Sequence, residues 1–365
     1  MPSRAHERVA VIDLGSNSFR MVVFAIDTAG WERERELSRA VRIGEGLLAS
    51  GRLGGAAMGR ALETLDEFAR ACDEAGLAAG QIDAVATSAI RDAENGSEFL
   101  DEVRERTGLD VRVLSREQEA RYGYLAAVHS TTLTEGCVLD LGGGSLQLVR
   151  VAGRIARESG SWRLGAVRMT ERFLADEGPA HPAKRSHCKA LQAHVARKLE
   201  RASWLALGGE RLVGLGGTVR NLAAAADRRS IPEWEAHPPG HAAGSSPVGD
   251  RYPVRGKRQD LRSAGQRAAG LPAMQVQGFL LTADALGELI ERLAALPAAE
   301  RSSVPGIKPA RADIVLAGAL VIQQVMRQGG FDTLEVTGAS LREGILLERR
   351  LLTSQIDAVQ AARAA

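Results

Sequence analysis

Residues 9–27 read VAVIDLGSNSFRMVVFAID, and a domain's length later residues 136–152 read GCVLDLGGGSLQLVRVA. Each is an apolar run ending in a carboxylate, a short turn of small residues, and a second apolar run. Aligned, Asp13 falls on Asp140, Leu14 on Leu141, Gly15 on Gly142 and Ser18 on Ser145. Buried strands on both sides of such a turn make a β-hairpin. A chain that writes the same hairpin twice at this interval is expected to fold as two related lobes. Its 365 residues, 45% of them hydrophobic, suffice for two cores.

Strands are expected over 9–13 and 19–26, continued by 31–44, with a loop through GEGLLASGRLGG. An amphipathic helix over 55–77 carries Leu62, Leu65, Phe68 and Ala69 on one face, with Gly76 at its C-terminal end. A strand running into a helix start follows at 82–93, then a helix at 96–108 and a strand at 110–115. Ser115 and Gln118 spell a capping box for a helix over 116–130. The second half predicts a strand at 148–152, a helix near 184–202, a strand and turn within 211–227, helices at 282–296 and 309–329, a strand at TLEVTG and a closing helix at 340–352. Alternation of this kind is α/β. Residues 228–275 are rich in Pro, Gly, Ser and Arg, and composition favours disorder there, as it does a frayed tail after Thr353.

Bulk properties exclude several classes. A net charge of +2 does not describe a nucleic-acid coat. Cys72, Cys137 and Cys188 are odd in number and scattered, which argues for a reducing, cytoplasmic setting. No apolar run approaches a membrane span. Five of the 47 basic residues are lysines, and the arginine excess is given no functional weight. His181, His187, Cys188 and His194 lie close in sequence, but not at the i, i+4 spacing of a helical zinc site, and read as a surface helix.

A hairpin turn of small residues exposes backbone N–H groups with no Cβ in the way, a nest for an anion. Ser16, Ser18 and Ser145 add hydroxyls and Asn17 an amide. Asp13 and Asp140 would repel phosphate directly, so they suit a hydrated divalent cation or a water. Each turn alone is equally an ordinary β-turn; the matched pair is what favours the site. A third small-residue turn, GLGGT at 214–218, follows an apolar strand and opens a helix. No Rossmann, Walker A or nucleophile-elbow motif is present.

Two strand-turn-strand units plus the later GLGGT resemble the actin/sugar-kinase/Hsp70 superfold. Within it the chain resembles the exopolyphosphatase/guanosine pentaphosphate phosphohydrolase (Ppx/GppA) family. The matching stretches are VAVIDLGSNSFRMVV, ATSAIRDAENGSEFLDEVRERTGLDVRVLSREQEARYGYLA, LDLGGGSLQLV, RLGAVRMTERF, VGLGGTVRNLAA, PGIKPARADIVLAGALV and SLREGILLE, in order from residue 9 to 348. The resemblance implies two ribonuclease-H-like lobes about a cleft, one over 1–125 and the other over 126–339. The helix near 340–356 would return to the first lobe.

The implied activity is removal of terminal phosphate from inorganic polyphosphate with Mg²⁺ or another divalent cation. Alternatives are 5′-phosphate removal from pppGpp, and a non-catalytic binder of polyphosphate or guanosine penta/tetraphosphate. No nucleic-acid or membrane partner is implied, and a homodimer is left open. The general base would be Glu119, with Glu117 as fallback, and Arg91 would clamp phosphate. Phosphate contacts would come from Gly15, Ser16, Asn17 and Ser18, from Ser88, from Gly142, Gly143, Gly144 and Ser145, and from Gly216, Gly217 and Thr218. Asp13 and Asp140 would hold the metal. The chain resembles the short, two-domain members, and Gln277 stands where the family often has a histidine. The basic stretch 251–267 is expected to steer polyphosphate or to serve as a solvated spacer.

Overall fold

The computed structural model describes residues 7–27, 30–175, 178–227 and 276–351. The segment 228–275, with its basic stretch, and the tail after Thr353 lie outside the described residues. The first sheet contains β1 (Glu7–Leu14), β2 (Phe19–Ile26), β3 (Trp31–Arg39), β4 (Ile82–Ala86) and β5 (Val111–Val113), in the order β3-β2-β1-β4-β5. The second contains β6 (Glu135–Leu141), β7 (Leu146–Ala152), β8 (Ile155–Trp162), β9 (Leu212–Leu215), β10 (Leu280–Thr282) and β11 (Thr333–Val336). Its order is β8-β7-β6-β9-β11-β10.

Apart from the extra edge strand β10, the two sheets are copies. In each, three strands run as an antiparallel meander and two more add in parallel beside the first strand. The repeated hairpin is thus the first connection of a duplicated lobe. In both, the small-residue turn leaves the carboxyl end of the opening strand, the end where parallel sheets bind their ligands.

Strand β8 has no apolar run, only half-exposed alternation, and β10 is three residues long; neither reads as a strand in the sequence. The loop after Gly44 contains one helical turn, α1 (Leu47–Ser50). The helix expected over 309–329 is two elements: a 3₁₀ turn at Pro309–Arg311, and a helix from Val315. Proline fits the opening turn of a helix but gives no backbone N–H. The break leaves Arg311 outside the long helix.

The remaining helices are α2 (Gly55–Glu74), α3 (Ser88–Asp92), α4 (Gly96–Thr107), α5 (Arg116–Ser130), α6 (Ala166–Phe173), α7 (Arg185–Leu199), α8 (Gly217–Ala226), α9 (Ala283–Ala295), α10 (Val315–Gly329) and α11 (341–351). None among the described residues is long and apolar enough to cross a membrane. Each sheet has a core under one face. Helix α5 runs between the sheets and is buried on two sides. Tyr122 and Leu125 pack with Val9, Val11 and Phe24, whereas Ala120, Ala126 and Ala127 pack with Val138, Val149 and Val213. Its start is fixed by the capping box: Ser115 Oγ accepts from Gln118 N at 3.2 Å, and Gln118 Oε1 from Ser115 N at 2.9 Å.

Helix α11 returns to the first sheet through Leu341, Ile345 and Leu346. Its contact with α5 is so close that a methyl group on Gly344 would stand 2.0 Å from Tyr122 O. Gly344→Ala must push the helices apart. We expect a loss of about 1–3 kcal/mol in unfolding free energy by chemical denaturation.

Candidate active site

The two turns meet face to face. A methyl group on Gly143 would lie 3.0 Å from Ser16 Cβ; one on Gly144 would lie 2.4 Å from Ser88 Oγ and 2.9 Å from Ser16 Oγ. Ser16 Oγ and Ser88 Oγ are 3.1 Å apart. Both turns have their carbonyls tied back. Ser16 O and Asn17 O accept from Gly44 N and Arg42 N, both at 2.9 Å, and Gly142 O and Gly143 O accept from Ala166 N and Val167 N at 3.0 and 2.8 Å. The amides of Ser16, Asn17, Gly143 and Gly144 make no hydrogen bond among the described residues, which suits them to an anion. Gly15 closes on the Ser18 carbonyl, and Ser18 Oγ accepts from the Asn17 amide at 3.3 Å.

Glu119 stands beside this junction on the first turn of α5, only 5% exposed. Its Oε1 accepts from Arg91 Nη1, and its Oε2 from Ser145 Oγ at 3.2 Å and Gln147 Nε2 at 3.1 Å. Burial pushes its carboxyl up to about 7 despite the Arg91 guanidinium, which pulls the other way, and Asp140 adds to the rise. Arg91 Nη1 also donates to Leu114 O at 2.8 Å, and its buried Nε has no partner among the described residues. Asp92 takes Arg163 and Arg168 at 3.0 Å and Arg116 at 3.7 Å instead. Glu117 is exposed and accepts from Ser115 Oγ, a helix-start carboxylate in solvent.

Asp13 and Asp140 sit at equivalent points of β1 and β6. Asp140 is enclosed by two close approaches, 3.4 Å from a Cβ placed on Gly123 and 3.3 Å from one on Gly216. Burial and the charge of Asp13 push Asp140 up to about 6; burial also raises Asp13, although Arg342 Nη1 is 3.8 Å away. The third turn therefore joins the site, and Gly216 there has φ +101°, a conformation glycine adopts readily. Thr218 is different. Its side chain is 1% exposed, its methyl packs on Gly318, and its buried Oγ1 has no hydrogen-bond partner among the described residues.

Sequence reasoning missed four cations here: Arg20 and Arg220 act on the two aspartates, and Lys308 and Arg311 stand near that pair of arginines. Arg20 lies directly across the hairpin from Asp13, Arg220 is in the first turn of α8, and Lys308 and Arg311 precede α10. The Arg311 guanidinium lies on Gly217, 2.1 Å from where a Cβ would be. None of the four forms an ion pair among the described residues. Burial lowers Arg220 and Arg311 to about 10, and neighbouring guanidiniums add to the fall at Arg220. Arg20 is lowered well below its usual value by burial and by Arg342, Arg220 and Arg311.

The other side of the first turn has the opposite character. A cavity of about 290 Å³ there is lined by Arg42, Glu45, Glu171 and Asp313 beside Ser16 and Asn17, with Arg42 already paired to Asp313. Gln277 lies elsewhere, bonded to Ser130 O, Thr337 Oγ1 and Gly338 N, where it ties the end of α5 to the β11–α11 connection.

A model of the Ppx/GppA phosphatase family matches residues 22–232 and 245–353. The chain belongs to that family. Exopolyphosphatase 1 of Mycobacterium bovis is 29% identical over 356 residues, covering 96% of this chain and 90% of its own. The crystal structure of the Aquifex aeolicus Ppx/GppA family member aligns at TM-score 0.68 and 28% identity, over 95% of this chain and 98% of that one. An exopolyphosphatase structure from Cytophaga hutchinsonii, 22% identical, shares the fold at TM-score 0.75, covering 93% and 97%. The duplicated lobes are those of the Ppx/GppA fold, and the chain is a phosphohydrolase of this family.

In this family member the buried glutamate gives a linkage test. Its folded pKa, about 7, lies above the ordinary 4.5. Between those values the folded state holds a proton that the unfolded state has lost, so stability falls as pH rises through the interval. Glu119→Gln removes that cost. Its unfolding free energy relative to wild type should climb from about pH 4.5 to about pH 7, by at most about 3 kcal/mol, and stay flat at lower pH.

Proposed function

We propose that this protein hydrolyses the terminal phosphoanhydride of inorganic polyphosphate, releasing orthophosphate, with Glu119 as general base. The observation that carries the proposal is the set Arg20, Arg220, Lys308 and Arg311: four cations close enough to perturb one another, none of them in an ion pair among the described residues. Repulsion of that kind is relieved by a ligand with several adjacent negative charges, as a phosphate chain has.

Asp13 and Asp140 fit a divalent cation. Each raises the other's affinity for positive charge, and they face a site built for phosphate oxygens. No group of three metal-ligating side chains gathers among the described residues. The pair of carboxylates suits Mg²⁺, which commonly takes one or two carboxylates and completes its shell from phosphate and water. When bound it would neutralise charge on the phosphoanhydride.

The residues themselves divide the work. The free amides at Ser16, Asn17, Gly143 and Gly144 hold the terminal phosphoryl oxygens between the lobes, and the four cations hold the chain behind it. Arg91 transfers from Glu119 Oε1 to a phosphoryl oxygen, which frees that carboxylate atom to accept a proton from water. A base near pKa 7 combines a useful ionised fraction with useful basicity at neutral pH. A non-catalytic binder is a poor fit, because a buried carboxylate inside a polyanion site weakens binding and serves only chemistry.

Glu119→Gln should retain polyphosphate binding and lose about 10²-fold or more in orthophosphate release. Near-wild-type turnover would remove Glu119 as base. Arg220→Ala should raise KM for polyphosphate about tenfold or more while changing kcat less, with a weaker salt dependence. Chelation should suppress turnover and Mg²⁺ restore it. The same assays on pppGpp decide between substrates: a higher kcat/KM there than on polyphosphate of any length would reassign the activity to 5′-phosphate removal.

A further inference from the structure

Strand β7 alternates its side chains between two packing layers. Leu146 and Leu148 join the large core of the second lobe, and Val149 and Val151 face α5. Gln147 falls on the α5 side, in line with the two valines, and is 3% exposed. A buried amide in a valine stripe is costly unless its groups are bonded. The register puts Asp140 on one side of Gln147 and Ser161 on the other.

Its Nε2 lies 3.1 Å from Glu119 Oε2, 2.9 Å from Ser145 Oγ and 3.3 Å from Ser161 Oγ. An ionised carboxylate only accepts, so the amide nitrogen, not its oxygen, must face Glu119. Ser145 Oγ accepts from the amide and donates its own proton to the same Oε2. Oε2 thus takes two donors from the second lobe, and Oε1 takes one from Arg91 of the first.

We infer that Gln147 is a positioning residue for the base: its amide anchors the Oε2 edge of Glu119, directly and through Ser145, so that Oε1 is the atom left to receive the proton from water. This rests on the assignment of Glu119 as base. When Arg91 moves to the substrate, the donors on Oε2 are what keep the carboxylate oriented and ionised. The charged groups facing Glu119 are Arg91 from α3 and Asp140 from β6, and an uncharged substitution at Gln147 alters neither charge.

Gln147→Met keeps the length of the side chain, suits the apolar stripe and removes the donor. In the full chain with Mg²⁺ and polyphosphate, kcat at neutral pH should fall about tenfold. KM should stay within about threefold, and the acidic limb of kcat/KM should move up by about one pH unit, so that activity partly returns in alkali. A limb that superimposes on wild type, or a loss equal at every pH, overturns the inference. Should the methionine variant not fold, Gln147→Glu preserves shape. Two facing carboxylates should move the limb further up, and an unmoved limb is again fatal. The two assignments fail separately. An active Glu119→Gln variant removes the base itself, whereas an inactive one combined with an unshifted Gln147→Met limb removes only the anchor.

Discussion

Cations gathered more closely than the carboxylates among the described residues can pair them are the constraint that organises this molecule. Arg20, Arg220, Lys308 and Arg311 come from β2, α8 and the segment before α10, and each is held by packing that has nothing to do with its charge. Arg20 is carried by a hairpin whose neighbours Phe19 and Met21 are fully buried. Arg220 rides on α8, anchored by Val219 and Leu222 in the core. Lys308 and Arg311 are fastened by the Asn221 side chain, which accepts from Lys308 N at 2.8 Å and donates to Gly217 O at 2.9 Å. Apolar burial over two cores offsets the repulsion. The free protein is therefore strained toward its ligand, and binding relieves what folding imposes.

Duplication explains how one short motif achieves this. Each lobe brings an acidic strand end and a turn of free amides to the same edge of its sheet, and α5 between the sheets sets the two edges against each other. The glycines at 143 and 144 matter through the size of the gap they permit, since any side chain there would meet Ser16 or Ser88. Clasps across the gap reinforce the contact. Arg168 and Arg163 reach Asp92, Arg42 reaches Asp313, and Gly46 N donates to Glu171 at 2.8 Å. Arg168 and Asp92 are largely buried, whereas Arg163, Arg42 and Asp313 are partly exposed.

Much of this was legible in residue order. The hairpins, the capping box at Ser115 and the α/β alternation all depend on local chemistry, so the sequence carried them, and the repeated turn pointed to two lobes. The acidic and small-residue members of the site were visible for the same reason. The cations were not. Arg20, Arg220 and Arg311 belong to a chain rich in arginine, and nothing local separates them from Arg8 or Arg39, which make exposed ion pairs. What distinguishes them is the lack of an ion pair among the described residues, a property of the folded arrangement. A hint existed in position: Arg20 lies across the hairpin from Asp13, and Arg220 opens a helix after a glycine turn. Gln147 was equally hidden, because one polar residue in an alternating strand ordinarily marks the solvent face. Here both faces are buried.

Glu119 and Arg91 show why such a site holds acid and cation in contact before substrate arrives. A buried carboxylate alone would be protonated and inert near neutral pH; paired with Arg91 it is held closer to ionisation. The same arginine has an Nε unpartnered among the described residues, so it retains capacity for a second acceptor. A terminal phosphoryl group offers several strong acceptors and attracts the guanidinium more than one carboxylate can. In the proposed mechanism, losing Arg91 raises the basicity of Glu119 at the moment a water stands beside the phosphorus. Without donors on its other oxygen the carboxylate would then take a proton from bulk solvent or rotate away. The contacts on Oε2 come from the second lobe and do not depend on Arg91, so they would keep the proposed base in place while its first partner leaves.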